Sequence, residues 1–199
     1  MGGEDWKDWI TALKNADAIE PDAITVAYSY IGPVLTHPMY RDGSIGKAKD
    51  HLFKTAKEIT EEFNGIRAYL SVNKALVTQS SAAIPIVPLY ISILYKVMKA
   101  KGCHEGCIEQ MYRLFNQKLF GEKPVLDAEG RIRLDDLELQ DDIQEEVTKL
   151  WSDISTEKIA ECADIDGYWE EFYKLFGFKV TGVDYDAETD VEVKIDSID

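Results

Sequence analysis

The stretch TVAYSYIGPVLTHPMYRDGSIGKAKDHL, residues 25–52, contains the change from strand to loop to helix that decides the fold. Its first residues belong to a run of β-branched and aromatic side chains over 24–30, which predicts a buried strand followed by a loop. From residue 44 to about residue 63 the apolar side chains recur on one helical face. The Asn64-Gly65 pair that follows predicts the end of this helix.

The same order of elements repeats once downstream. Residues 66–72 (IRAYLSV) predict a second strand, and the small and polar residues 73–83 (NKALVTQSSAA) predict the loop that follows it. Residues 84–100 predict a largely apolar helix that begins through prolines, where proline is tolerated. Two successive strand–helix units predict a parallel sheet, so the fold class is α/β.

The second half of the chain is predicted to be mostly helical. We expect a division into residues 1–120, which hold the strands, and residues 121–199, a helical region with a short β tail. Residues 121–133 are expected to form a charged connection. The remaining predicted helices cover residues 5–17, 104–120, 140–151 and 166–176.

Composition excludes several partners. The chain has 199 residues and a formal net charge of −15, with 37 acidic residues against 22 basic ones. A field of this sign repels nucleic acid phosphates and anionic lipid, so we expect neither nucleic acid nor membrane as a partner. The most apolar stretch, residues 82–95, is broken by prolines and too short to span a bilayer.

The cysteine count and the N-terminal sequence bear on the compartment. Three cysteines are a sparse and odd number, which favours a reducing environment without a disulfide framework. The first residues, MGGEDWKDW, lack the basic and apolar regions of a secretory signal. Cys103 and Cys107 form a Cys-x3-Cys pair without a second ligand pair, so no metal site is predicted. The expected location is the cytoplasm.

Residues 25–52 closely resemble the trans-2-enoyl-CoA and enoyl-acyl-carrier-protein reductases that carry a Tyr-x8-Lys motif, which are distant relatives of the short-chain dehydrogenases. Here the pair is Tyr40 and Lys49, with RDGSIGKA between them. The resemblance continues through residues 73–99 and 164–192, and so covers most of the chain. It implies the C-terminal part of a Rossmann-like parallel sheet with a mostly helical extension.

The resemblance also implies an activity: NADH-dependent reduction of the carbon–carbon double bond of a trans-2-enoyl thioester in fatty acid synthesis. Tyr40 would be the proton donor, Lys49 would hold the cofactor, and Tyr30 would contact the substrate carbonyl. A second cofactor contact would come from Leu76, Val77 and Thr78. Enoyl-CoA and enoyl-ACP remain alternative substrates, and the acyl chain length stays open. The tyrosines could equally be ordinary half-buried aromatics, because most tyrosines are.

The residue types suit this chemistry. The reaction needs a hydride at the β carbon and a proton after charge develops on the carbonyl oxygen. A tyrosine, with a pKa of about 10, holds its proton at neutral pH and can donate it. A nearby lysine is expected to lower that pKa and ease proton release. A nine-residue offset cannot make Tyr40 and Lys49 neighbours on one helix face, so Tyr40 is expected on a loop over the helix of Lys49.

One part of a nucleotide site is not found in the sequence. No G-x-G-x-x-G follows a strand in these 199 residues, so we expect the upstream nucleotide-binding half to be missing. The missing half is then a candidate partner. A non-catalytic interaction module that retains part of the reductase fold is the alternative. A flavin site over residues 167–186 is discounted because that segment lacks a phosphate loop.

Overall fold

The computed structural model describes residues 2–121, 123–190 and 192 as an α/β fold. The three strands are β1 (Ala23–Ser29), β2 (Ile66–Val72) and β3 (Ile132–Arg133). The helices are α1 (Glu4–Asn15), α2 (Ser44–Glu62), α3 (Gln79–Ala82), α4 (Val87–Ala100), α5 (Cys107–Arg113), α6 (Asp141–Asp153), α7 (Ile159–Cys162) and α8 (Ile165–Lys174).

The sheet is parallel throughout, in the order β1-β2-β3, which confirms the predicted fold class. β1 and β2 run in register from Ala23 opposite Ile66 to Ser29 opposite Val72. β2 is the central strand, and its apolar residues are almost fully buried against α2. β3 lies in a segment that was expected to be only a connection. That expectation was wrong because a two-residue strand in a charged stretch has no detectable periodicity.

The second half of the chain packs on α4. This helix is apolar on nearly every side, and α6 and α8 both lie against it. Tyr90, Ile91, Leu94 and Met98 of α4 are fully buried in the resulting core. A helix that is hydrophobic all round has to be covered on all sides, which explains why two further helices pack here.

Several predicted element bounds differ from the structure. α4 begins at residue 87 rather than 84, because Ile86 adopts a φ of 71°, outside the helical region. α5 begins at residue 107 rather than 104, and a π-helical segment, Leu114–Leu119, continues it. The tail strand is not found in residues 180–190, and the rest of the tail, apart from residue 192, lies outside the described residues.

None of the helices in the described part of the chain combines the length and the apolar character needed to cross a bilayer.

Candidate active site

A cavity of about 410 Å³ opens where the carboxyl ends of β1 and β2 face α2 and α4. This edge is where open α/β sheets bind their ligands. The apolar part of its lining includes Ile84, Val87 and Ile91. The residues predicted from the sequence that line the cavity are Tyr30, Tyr40, Lys49, Leu76 and Thr78.

Tyr40 lies in the turn between a 3₁₀ segment, Val34–Thr36, and α2. Its backbone N–H donates a hydrogen bond to the Thr36 carbonyl, 3.0 Å away. The side chain is buried, and its ring meets the Tyr30 ring edge-on at a centroid distance of 5.2 Å. This placement agrees with the expected loop position.

Burial raises the pKa of Tyr40 above its ordinary value. The expectation that the lysine would lower this pKa is therefore wrong for the protein as described. Removing the hydroxyl from water disfavours the phenolate, and no charge within the described part of the chain offsets that effect. Tyr40 is consequently a neutral hydrogen-bond donor at neutral pH.

Lys49 lies on α2 and is half-buried in the wall of the cavity. Burial alone lowers the pKa of its ammonium, since no carboxylate among the described residues lies close enough to oppose it. Lys47, two residues earlier, is exposed to solvent as expected. Of these two lysines, Lys49 faces the cavity and Lys47 faces solvent.

Gly46 explains how the turn and α2 come so close together. A side chain at this position would overlap the carbonyl oxygen of Arg41, so only glycine allows the contact. Arg41 in turn forms a two-bond ion pair with Asp50 of α2, with N–O distances of 2.7 and 3.1 Å. These contacts hold Tyr40 over the helix that carries Lys49.

Tyr30 follows β1 directly and takes part in a buried hydrogen-bond cluster that the sequence analysis missed. Its hydroxyl donates to Glu138 Oε1 at 2.9 Å, and the Tyr90 hydroxyl donates to the same oxygen at 2.7 Å. Glu138 Oε2 accepts from the Ala75 N–H at 2.7 Å. Glu138 has no exposed surface. No local signal marks this glutamate, because it is one of many acidic residues in its segment.

The cluster limits what Tyr30 can do. Burial, followed by the charge of Glu138, raises the pKa of Tyr30 well above its ordinary value. While Glu138 is ionised, the single hydroxyl proton of Tyr30 is committed to its carboxylate. In that state Tyr30 can accept a hydrogen bond from a substrate but cannot donate one to a carbonyl.

The loop after β2 carries the predicted second cofactor contact. Leu76 and Thr78 line the cavity, and the Thr78 hydroxyl caps α3 by accepting from the Ser81 N–H at 3.0 Å. Val77 does not line it. Val77 is buried, donates its N–H to the Tyr95 hydroxyl at 3.3 Å, and borders a separate cavity of about 450 Å³.

Lys74 also lines the cavity and was not predicted. It is 2% exposed, donates to the Ala75 carbonyl at 3.0 Å, and lies 4.7 Å from the centre of the Tyr95 ring. Burial lowers its pKa to about 8, although the charge of Glu138 acts in the opposite direction. An ammonium buried this deeply is an unusual cavity residue.

No group of three or more potential metal ligands occurs among the described residues, and Cys103 and Cys107 are free thiols.

The parallel α/β fold and a cavity at the carboxyl ends of its strands are typical of nucleotide-dependent enzymes. Residues 1–120 match the family model of the trans-2-enoyl-CoA reductase catalytic region. Residues 126–189 match the model of the enoyl reductase FAD binding domain. The chain belongs to the trans-2-enoyl-CoA reductase family.

Relatives and solved structures agree with this assignment. The trans-2-enoyl-CoA reductase (NADH) of Ruminiclostridium cellulolyticum is 54% identical over 100% of this chain and 51% of its own length. An enoyl-acyl-carrier-protein reductase (NADH) of Flavobacterium psychrophilum is 55% identical over 100% of this chain and 51% of its own length. The trans-2-enoyl-CoA reductase of Clostridium acetobutylicum in complex with NADH has a TM-score of 0.90 and 50% identity, over 96% of this chain and 49% of that one. The chain spans about half the length of the curated relatives that it matches.

The residues of 126–189 do not fit a flavin, in spite of the name of the matching model. Both arginines of this region, Arg131 and Arg133, are already paired with neighbouring aspartates. The N-terminus of α8 is occupied by the Asp164 carboxylate, which accepts from a backbone N–H, and α6 begins with two acidic residues. At the starts of α6 and α8 a diphosphate would meet negative charge where it needs donors. No step is therefore derived through a flavin.

Proposed function

We propose that this chain carries the reducing site of an NADH-dependent enzyme that reduces the double bond of trans-2-enoyl thioesters in fatty acid metabolism. One observation supports this most directly. Tyr40, a buried and protonated donor, shares a cavity with Lys49, a half-buried ammonium whose pKa no neighbouring carboxylate raises. Polar groups left available in a cavity are the ones a ligand can use.

The roles follow from the geometry. When bound, NADH supplies the hydride that is added to the β carbon. Lys49 and the loop of Leu76 and Thr78 would hold the nicotinamide half of the cofactor, with Val77 supporting the loop from behind. Tyr40 would donate its proton as charge develops on the substrate, and its raised pKa keeps that proton in place until then.

The substrate contacts divide by polarity. Ile84, Val87 and Ile91 give the cavity an apolar wall that suits an acyl chain. Tyr30 would lie against the thioester end while its hydroxyl stays bonded to Glu138. CoA and ACP thioesters are alike at this end. Among the relatives, both the CoA and the acyl-carrier-protein names occur. Enoyl-CoA or enoyl-ACP is accordingly the proposed substrate class.

Completion of the nucleotide site is proposed to need further polypeptide. In the described structure β1 pairs only with β2, and Ile24 and Tyr28 of β1 are exposed. An open strand edge of this kind is a place where another strand can pair. The relatives are about twice as long, and the part of them that this chain does not match would cradle the cofactor phosphates. The proposal divides the chain into a catalytic part, residues 1–120, and a helical part, residues 121–199.

The proposed location is the cytoplasm. The three cysteines of the chain are free thiols, which is typical of proteins in a reducing compartment.

The test compares two proteins. One is this chain alone, and the other, which we call the joined protein, adds the half of the Ruminiclostridium cellulolyticum relative that the chain does not match. Calorimetry with NADH and the loss of nicotinamide absorbance with crotonyl-CoA are measured for both. We expect turnover and micromolar binding only in the joined protein. A joined protein that folds and binds NADH but reduces no enoyl thioester would contradict the proposed function, leaving the interaction module as the better reading. Micromolar binding by the chain alone would contradict the need for a second half.

A further inference from the structure

Glu138 is a buried ionisable group that the proposed reaction does not use. It belongs to the helical part of the chain, yet its carboxylate contacts the proposed substrate tyrosine and the first residue of the cofactor loop. The sequence separations are 108 residues to Tyr30 and 63 residues to Ala75. A buried carboxylate costs stability unless its hydrogen bonds are satisfied. The hydrogen bonds of Glu138 are satisfied, and every one comes from a residue at or next to the cavity, which points to a role in the site as well as in stability.

We propose that Glu138 is a positioning residue, which orients the Tyr30 hydroxyl and anchors the 75–78 loop through the Ala75 N–H. This inference rests on the proposed function and deepens it. It also assigns a use to the region matched by the flavin model, whose residues do not fit a flavin. The region would serve the reductase site by carrying Glu138 into it.

The geometry supports both halves of the role. Oε1 accepts from Tyr30 and Tyr90 at 2.9 and 2.7 Å, and Oε2 accepts from Ala75 at 2.7 Å. Each oxygen therefore holds a different part of the site. Gln144 of α6 supports the arrangement by donating to the Glu138 carbonyl at 2.7 Å and to the Tyr90 hydroxyl at 3.2 Å. The carboxylate is thus fixed from three elements and couples the tyrosine to the loop.

Among the described residues, the ionisable groups that interact with Glu138 are Lys74, which precedes the 75–78 loop, Tyr30, which follows β1, and Tyr90 and Tyr95 of α4. Burial raises the pKa of Glu138, while Lys74, Tyr30, Tyr90 and the Ala75 N–H act to lower it. An amide at position 138 keeps the shape but has one acceptor oxygen where the carboxylate has two. Either its NH₂ faces the Ala75 N–H, donor against donor, or it faces the tyrosine hydroxyls and reverses the Tyr30 hydrogen bond.

Glu138→Gln in the joined protein tests the proposal, with Asp135→Asn as the matched control. Asp135 is also a buried carboxylate of the helical part, but its side chain pairs with Arg133 and bonds neither Tyr30 nor the 75–78 loop. Both changes replace a buried acid by its amide, so both are expected to lower stability. Only Glu138→Gln should reduce kcat, by about 10- to 100-fold, because misplacement of a reacting group by about 1 Å has costs of this size. It should also raise the KM for NADH several-fold.

A second readout does not depend on activity. With ¹³C-labelled tyrosine, the Tyr30 ring signal is identified at neutral pH by its loss in Tyr30→Phe. Glu138→Gln should shift the Tyr30 ring signal and the Ala75 amide signal, whereas Asp135→Asn should shift neither. Unchanged Tyr30 and Ala75 signals, or equal losses of kcat in the two variants, would overturn the positioning role. If the unmodified joined protein is inactive, the proposed function fails, and these signals still decide whether Glu138 holds Tyr30 and the loop.

Discussion

The two sides of the cavity treat their polar groups in opposite ways. On the side of α2, burial alone shifts the pKa values of Tyr40 and Lys49, and no hydrogen bond or nearby charge offsets it. On the other side, Glu138 accepts three hydrogen bonds in a fully buried position. Neither the Tyr40 hydroxyl nor the Lys49 ammonium is among the fully buried polar atoms that lack a partner, and both residues line the cavity, so both groups remain open to it. The first side is available to ligands, and the second holds the geometry that those ligands need.

The largest expected effect comes from removing the proton donor on the available side. Tyr40→Phe should reduce turnover of crotonyl-CoA in the joined protein by roughly 10²- to 10⁴-fold, the usual contribution of general acid catalysis. NADH affinity should stay nearly unchanged, because the ring and its packing against Tyr30 remain. Steady-state kinetics and calorimetry measure the two quantities. Turnover within a few-fold of the parent would exclude Tyr40 as the donor.

A smaller effect is expected from the lysine on the same side. Lys49→Ala should weaken NADH binding by about 10- to 100-fold, since a hydrogen bond to a charged group contributes roughly 1.5–3 kcal/mol. Turnover should fall as well. Lys47→Ala is the matched control, because Lys47 lies on the same helix but faces solvent. Equal effects of the two changes, measured by NADH titration, would contradict the assignment.

On the side of Glu138, the buried Lys74 should make the free energy of unfolding depend on pH. Folding lowers the pKa of Lys74 from 10.5 to about 8, so between these values the unfolded chain binds more protons. Stability should therefore rise with pH in this window, by roughly 1–2 kcal/mol between about pH 8 and 9.5. The loss of stability caused by burying the charged Lys74 is fully present at pH values below the pKa that Lys74 has in the folded protein.

Lys74→Met should remove this rise because it deletes the titrating group. Urea unfolding of the joined protein and of its Lys74→Met variant, at several pH values, gives the comparison. The difference between the two curves isolates Lys74 from the tyrosines, which in the unfolded chain ionise with a pKa of about 10. Parallel curves for the two proteins would show that Lys74 is not buried as described.

The smallest expected effect concerns the end of the cofactor loop. Thr78→Ala removes the hydroxyl that caps α3, which typically costs about 1 kcal/mol. Hydrogen exchange at the Ser81 amide should become faster, while the Ala75 amide, held by Glu138, should exchange at its former rate. Faster exchange at both amides would mean that the loop opens as one unit and that the two sides are not independent.

The elements that have a local sequence pattern were predicted with nearly correct bounds. The strand over 66–72 was predicted with its observed bounds, and the helix expected from residue 44 to about 63 ends at Glu62. β-branched runs, one-sided apolar spacing and a glycine stop act within a few residues of each other, so they can be recognised in a single sequence. The Tyr-x8-Lys motif likewise identified Tyr40 and Lys49 as candidate site residues from the sequence. Only the fold shows that both line one cavity.

Tertiary structure alone decided the rest. The sequence determined the α/β class, the two long strands and the tyrosine–lysine pair, because each has a local pattern. β3, the buried Lys74 and the role of Glu138 depend on partners far away in the chain. Glu138 is one of 37 acidic residues, and nothing near it in the sequence shows that it is buried. Burial and hydrogen bonding across a hundred residues arise only when α4, α6 and the sheet pack together, and they determine which carboxylate holds the site.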